Sequence, residues 1–195
     1  ASPYSPSSRK ALNPIYLDVQ TLVDLSGCEE AAERVQSEAF QDRLQALREA
    51  EMVDYPGVAA AKEEVLRILW RHFEKHELDK DRSRGAHFMA YMREREATLG
   101  PQAVFEALQE HLARQDPGVW GWPAWPEAYK DPEGAAVRAF RAQHASDVHF
   151  RFWLQWLAEV QLESCQRYAR TRGMGIGLYC DLAVGVNGGG AETWA

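Results

Sequence analysis

Asp181 is the residue whose setting most invites chemistry. It interrupts an otherwise apolar run, Ile176 to Val186, and a carboxylate within an apolar strand is costly to bury unless it is paired or faces a polar cavity. Two readings are open from the residues alone: a site carboxylate, or the structural partner of a nearby arginine. Trp120, Trp122 and Trp125 crowd one proline-rich stretch, and flat aromatic faces suit a sugar ring as well as they suit wedging a loop onto a core. His72 and His76 stand one helical turn apart, a metal-ligand spacing, but the zinc-protease order needs Glu directly after the first His and Glu74 comes two residues on. With Arg71 and Lys75 beside them, a solvated helix face is expected. The stretch from Asp79 to Ser83 opens like a calcium loop, yet Gly85 falls at the seventh position and Ala90 at the twelfth, where a bidentate Glu is required. His144, Asp147 and His149 have no further ligand in sequence, and no base neighbours Cys28, Cys165 or Cys180. The run Gly185 to Gly190 lacks a phosphate-loop lysine and dinucleotide glycine spacing, so a flexible loop after a strand is expected. No metal site and no cofactor are expected.

The elements that must carry these groups are mostly helical. Residues 1–13 are rich in Ser and Pro and read as a loop, followed by a short β-prone segment from Asn13 to Val19. The spacing predicts one or two helices over Glu29 to Glu51, then, after a break at Pro56 and Gly57, a helix from Ala59 to Lys75 with Val65, Ile68, Leu69 and Phe73 on one stripe. Gly85 reads as an interruption, and Gly100 with Pro101 as a stop between a helix over Phe88 to Thr98 and another over Gln102 to Ala113. An irregular loop holds the tryptophans. The strongest amphipathic pattern runs from Asp147 to Thr171, with Trp153, Trp156, Leu157, Val160 and Ser164 on its stripe and Gly173 as its stop. The apolar run around Asp181 reads as a strand buried on both faces, as in a parallel sheet.

Composition narrows the partners. The chain has 195 residues, 22 Lys and Arg against 29 Asp and Glu, a formal charge of -7 and a pI near 5.4, which gives no attraction toward phosphate backbones. Nucleic acid is excluded as a partner. Mean hydropathy is -0.46, and the longest apolar stretches fall far short of the roughly 20 residues a bilayer span needs. No membrane association is expected, and three scattered cysteines without paired spacing read as reduced thiols of a cytoplasmic protein. Both ends look cut, so a fragment of a longer protein is expected.

Four motifs in order add a resemblance. The stretch Ser2-Pro3-Tyr4 through Ser8 to Asn13-Pro14, the Trp120 to Pro123 loop, the aromatic helix Phe150 to Trp156, and the segment Gly177 to Val186 followed by Ala191 to Trp194 resemble the amylomaltases, bacterial 4-alpha-glucanotransferases. The likeness extends over essentially the whole chain. It implies an α/β fold: a partial (β/α) barrel of the α-amylase clan with large helical insertions, mostly helical in this part. Residues 1–195 would form part of one catalytic barrel domain. Within it, 1–26 hold the first strand region and an active-site loop, 27–115 a helical insertion, 116–131 the Trp/Pro loop, and 132–195 the helix and strand with Asp181.

The resemblance also implies site residues. Asp181 matches an active-site Asp that contacts the sugar next to the cleaved bond, near the C-terminal end of an early barrel strand. Tyr4 matches a tyrosine beside the same sugar, so the two should line one cleft. Cys180 stands where the family usually carries Arg. The implied reaction transfers part of an α-1,4-glucan, such as maltodextrin or maltotriose, to the 4-hydroxyl of another sugar through a covalent glycosyl-enzyme. Its retaining pair of carboxyls, about 5 to 5.5 Å apart, belongs to stretches that do not occur here, so no catalytic residue is assigned within the chain. Two other readings compete: a non-catalytic helical module binding glucan through Trp120, Trp122 and Trp125, and, more weakly, a metal hydrolase using His72 and His76.

Overall fold

The computed structural model of the chain describes residues 5–80 and 82–195; Tyr4 and Asp81 lie outside the described residues. Eight α-helices follow one another among them: α1 (Val23–Ser26), α2 (Glu29–Gln36), α3 (Glu38–Glu49), α4 (Tyr55–Phe73), α5 (Ser83–Gln115), α6 (Ala135–Gln143), α7 (Ala145–Thr171) and α8 (Ala191–Trp194). The helical content is as expected. No β-strand occurs among the described residues, so neither predicted strand forms. At Asn13 to Val19, side-chain caps prevail over β propensity. The Asn13 carboxamide accepts from Ile15 N–H at 3.1 Å and the Asp18 carboxylate from Gln20 N–H at 3.1 Å, each starting a 3-10 turn. At Ile176 to Val186 no neighbouring strand is present to satisfy the backbone, and the segment runs irregularly.

Two compact units divide the chain, residues 13–90 and residues 1–12 with 91–195. In the first, α4 is the central helix. Asp54 caps it by accepting from Gly57 N–H at 2.9 Å, and Pro56 sits in its first turn, where the missing N–H costs nothing. The residue expected to break the helix therefore starts it. Val65, Leu66, Leu69, Trp70 and Phe73 are buried. Trp70, Phe73 and Phe88 meet with ring centroids 5.7 to 6.0 Å apart. Beside them the buried Asp24 carboxylate takes two bonds from the Arg84 guanidinium, at 2.6 and 3.0 Å, and that guanidinium lies 5.3 Å over the Phe73 ring. Lys62 Nζ ties in the 3-10 turns by donating to the Ile15 and Leu17 carbonyls at 2.6 and 2.8 Å. A cavity of about 320 Å³ opens among Leu17, Leu25, Phe40, Leu44, Leu47 and Val65, with Asp18, Gln20, Arg48 and Lys62 also on its wall.

The second unit is built on α7. Phe150, Phe152, Trp153, Leu154, Gln155 and Leu157 are all buried, so residues 150–157 are covered on nearly every side instead of carrying one stripe. Each such large apolar side chain contributes on the order of 1.5–3 kcal/mol. Its second half is different: Val160, Leu162 and Ser164 are exposed. The helix stops as expected at Gly173, which takes φ +86°. Helix α5 runs unbroken through Gly100 and Pro101. Burial of Leu99, Ala103, Val104, Phe105 and Leu108 on both sides of the proline outweighs the roughly 3 kcal/mol that an interior proline costs.

Candidate functional site

The chain's opening loop and its last turns are stitched together. Pro6 carbonyl accepts from Asn187 N–H at 2.9 Å, Ser7 carbonyl from Glu192 N–H at 3.0 Å, and Ser7 Oγ from Ala191 N–H at 2.9 Å. The two bonds to Ser7 satisfy the first amide groups of α8, which a helix cannot satisfy by itself. Gly190 is a glycine for a reason of space: a Cβ there would stand 2.7 Å from the Ser7 Cα. Arg9 completes the join. Its backbone N–H donates to Glu192 Oε2 at 2.7 Å, its Nε to Oε1 at 2.9 Å, and its Nη2 also pairs with that oxygen. Its Nη1 reaches the Val184 carbonyl at 3.4 Å. The bonds from Arg9 hold the Glu192 carboxyl below the usual carboxylate range. Further along the loop, the buried Gln155 amide donates to the Leu12 carbonyl and accepts from the Leu12 N–H, both at 2.8 Å.

Asp181 lies three residues before Val184, on the irregular segment that leaves α7. The segment is anchored at its start by the Gln166 amide, which accepts from Leu178 N–H at 2.6 Å and donates to the Ile176 carbonyl at 3.3 Å. Gly177, at φ +81°, passes so close that a Cβ would meet Gln166 Oε1 at 2.5 Å. Beyond that anchor the side chains face solvent: Tyr179 is 91% and Val184 93% exposed. Asp181 is exposed as well. The expected burial among apolar residues does not occur, because with no adjacent strand nothing covers either face of the segment. No arginine partners Asp181 among the described residues, and an exposed carboxylate of this kind is free to accept hydrogen bonds from hydroxyl groups. Tyr4 lies outside the described residues; the loop that follows it reaches the segment that follows Asp181.

The tryptophan loop divides its residues between two tasks. Trp125 is buried against Phe105 and Trp194, with ring centroids 4.9 and 5.6 Å away, and its Nε1 donates to Gln109 Oε1 at 3.1 Å. The same oxygen accepts from Gly121 N–H at 2.7 Å, while Gln109 Nε2 donates to the Val119 carbonyl at 2.9 Å. Trp122 Nε1 donates to the Gly188 carbonyl at 3.1 Å. Trp120 alone of the three is widely exposed, at 62%. Residues 187–190 thus form a turn packed against this loop, with Gly190 N–H donating to the Asn187 carbonyl at 3.0 Å. His72 and His76 stack at 4.3 Å between ring centroids, and among the described residues no group of three or more His, Cys, Asp or Glu side chains is gathered for a metal.

Arg9, Glu192, Gln155 and Gln109 were not singled out by sequence. Arg9 and Glu192 sit within or beside quoted motifs, but nothing local signals a pairing across 183 positions.

The family model described as 4-alpha-glucanotransferase, glycoside hydrolase family 77, matches residues 1–195. The chain belongs to this family. It is 34% identical to the 4-alpha-glucanotransferase of Haemophilus influenzae over 198 aligned residues, covering 100% of this chain and 28% of the relative. With that of Mycobacterium tuberculosis it shares 30%, covering 100% and 25%, and with that of Chlamydia caviae 27%, covering 100% and 33%. The chain therefore spans about a quarter to a third of the length of these relatives. No described helix is long and apolar enough to cross a membrane.

Proposed function

We propose that these residues form part of a cytoplasmic 4-alpha-glucanotransferase that moves segments of α-1,4-glucan, such as maltodextrin or maltotriose, to a sugar 4-hydroxyl with retention. The observation that carries this reading is family membership over the full length of the chain. In the complete enzyme these helices would be insertions and flanks of a (β/α) barrel of the α-amylase clan. The segment around Asp181 would become a barrel strand once neighbours pair with it. Asp181 and Tyr4 would bind the sugar beside the cleaved bond, and the nucleophile and acid/base would come from other stretches. The reading calls on no cofactor. Its support in the geometry is the join of residues 6–9 to residues 184–192, which runs from the loop after Tyr4 to the segment after Asp181.

The test is made on the full-length polypeptide. Wild-type protein should disproportionate maltotriose, and Asp181→Asn should lower kcat/KM by about a hundredfold or more while the melting temperature stays within a few degrees. Activity retained within about threefold, with a lowered melting temperature, would make Asp181 a structural residue.

A further inference from the structure

We propose that Arg9 and Glu192 are a positioning pair for the glucan site, fixing residues 6–9 to the segment that carries Asp181. This rests on the reading of Asp181 as a sugar-binding residue. One guanidinium makes contacts in two directions. Its Nε and Nη2 hold Glu192 in the first turn of α8, and its Nη1 reaches the Val184 carbonyl, three residues beyond Asp181. The backbone N–H of Arg9, five residues beyond Tyr4, is held by the same carboxylate at 2.7 Å. A planar fork can serve these acceptors together, whereas a lysine ammonium on a flexible stem cannot. The Arg9 side chain is 39% and the Glu192 side chain 14% exposed, and an ion pair whose cation stands in water adds little to global stability. Its effect is on geometry: it is the side-chain contact that extends the join of these two segments back toward Asp181.

The surroundings support a fixed join. Ser7 and Pro6 contribute three backbone-directed bonds beside the pair, and Gly190 has no room for a side chain against Ser7. Without Arg9, the Val184 carbonyl loses its side-chain partner and Glu192 keeps only a backbone donor from residue 9. Displacement of a substrate-contacting group by about 1 Å costs up to a hundredfold in rate, so loosening the join is expected to appear in catalysis before it appears in melting.

The experiment uses the full-length enzyme, with maltotriose kinetics and thermal melts for Arg9→Met, Arg9→Lys, Glu192→Gln, Asp181→Asn and the double variant Arg9→Lys/Asp181→Asn. Arg9→Met should lower kcat/KM by about tenfold or more, Arg9→Lys by a smaller factor, and both should melt within a few degrees of wild type. Adding Arg9→Lys to Asp181→Asn should cost less than it costs the wild type, because a positioning residue acts through the group it positions. Full additivity in the double variant, or kcat/KM within twofold of wild type for both Arg9 variants, overturns the proposal. If Arg9→Met fails to fold, Arg9→Lys and Glu192→Gln decide it by the same criterion. An active Asp181→Asn enzyme instead defeats the sugar-site reading itself, whatever the Arg9 variants do.

Discussion

Asp24 and Asp181 are carboxylates with opposite fates, and the difference lies in their neighbours. Asp24 is buried to 5% and takes both donors of the Arg84 fork, which in turn rests over Phe73. The bond to Asp24 raises the Arg84 guanidinium further above its usual value. Replacing Asp24 by Ala strands a partly buried guanidinium. Because Arg84 keeps about a third of its side chain in water, the loss should be about 2 kcal/mol in a denaturant titration, below that of a fully buried pair. Asp181, by contrast, stands exposed with no arginine beside it among the described residues. The sequence pointed to Asp181 through its apolar flanks and passed over Asp24, since one charge amid hydrophobic letters is visible in a string while a partner 60 positions away is not. The same blindness hid Arg9 and Glu192.

At the scale of elements, periodicity served where burial is one-sided. It located α2, α3 and α4, and Gly173 marked the end of α7. It failed where the surroundings decide. Pro101 looked like a terminator, yet the burial on either side of it carries α5 through. The stripe drawn on α7 extended too far, because residues 150–157 are covered on nearly every side and its second half is not. Both predicted strands were lost for one physical reason: a strand exists only with a neighbour, and side-chain caps or an amide clamp suffice to set a lone segment's path. Gln155 illustrates such a clamp, being a buried polar residue within the most apolar stretch of α7 that exchanges two bonds with Leu12. Gln155→Leu keeps the volume and removes both bonds. It should cost about 1 to 2 kcal/mol in chemical unfolding, the penalty of leaving the half-buried Leu12 N–H and C=O without their side-chain partner.

For the whole chain, Arg9 and Glu192 make stability depend on pH in a defined direction. Bonds from Arg9 hold the folded Glu192 carboxyl below its unfolded value, so the unfolded chain binds the proton more readily. The stabilisation is complete above the ordinary carboxylate range and is lost as the pH falls through the lowered folded value. Glu192→Gln should therefore shrink the loss of stability between about pH 5 and pH 3, measured by melts across that window. A wild-type and variant difference independent of pH would contradict it. The three thiols add a different kind of readout. Cys165 and Cys180 face solvent, while Cys28 is 3% exposed, and all three are free. A colourless maleimide should alkylate the first two within seconds to minutes and leave Cys28 to react only when its surroundings open. The slow labelling of Cys28, located by peptide mass spectrometry, then times the breathing of residues 13–90 without any engineered label.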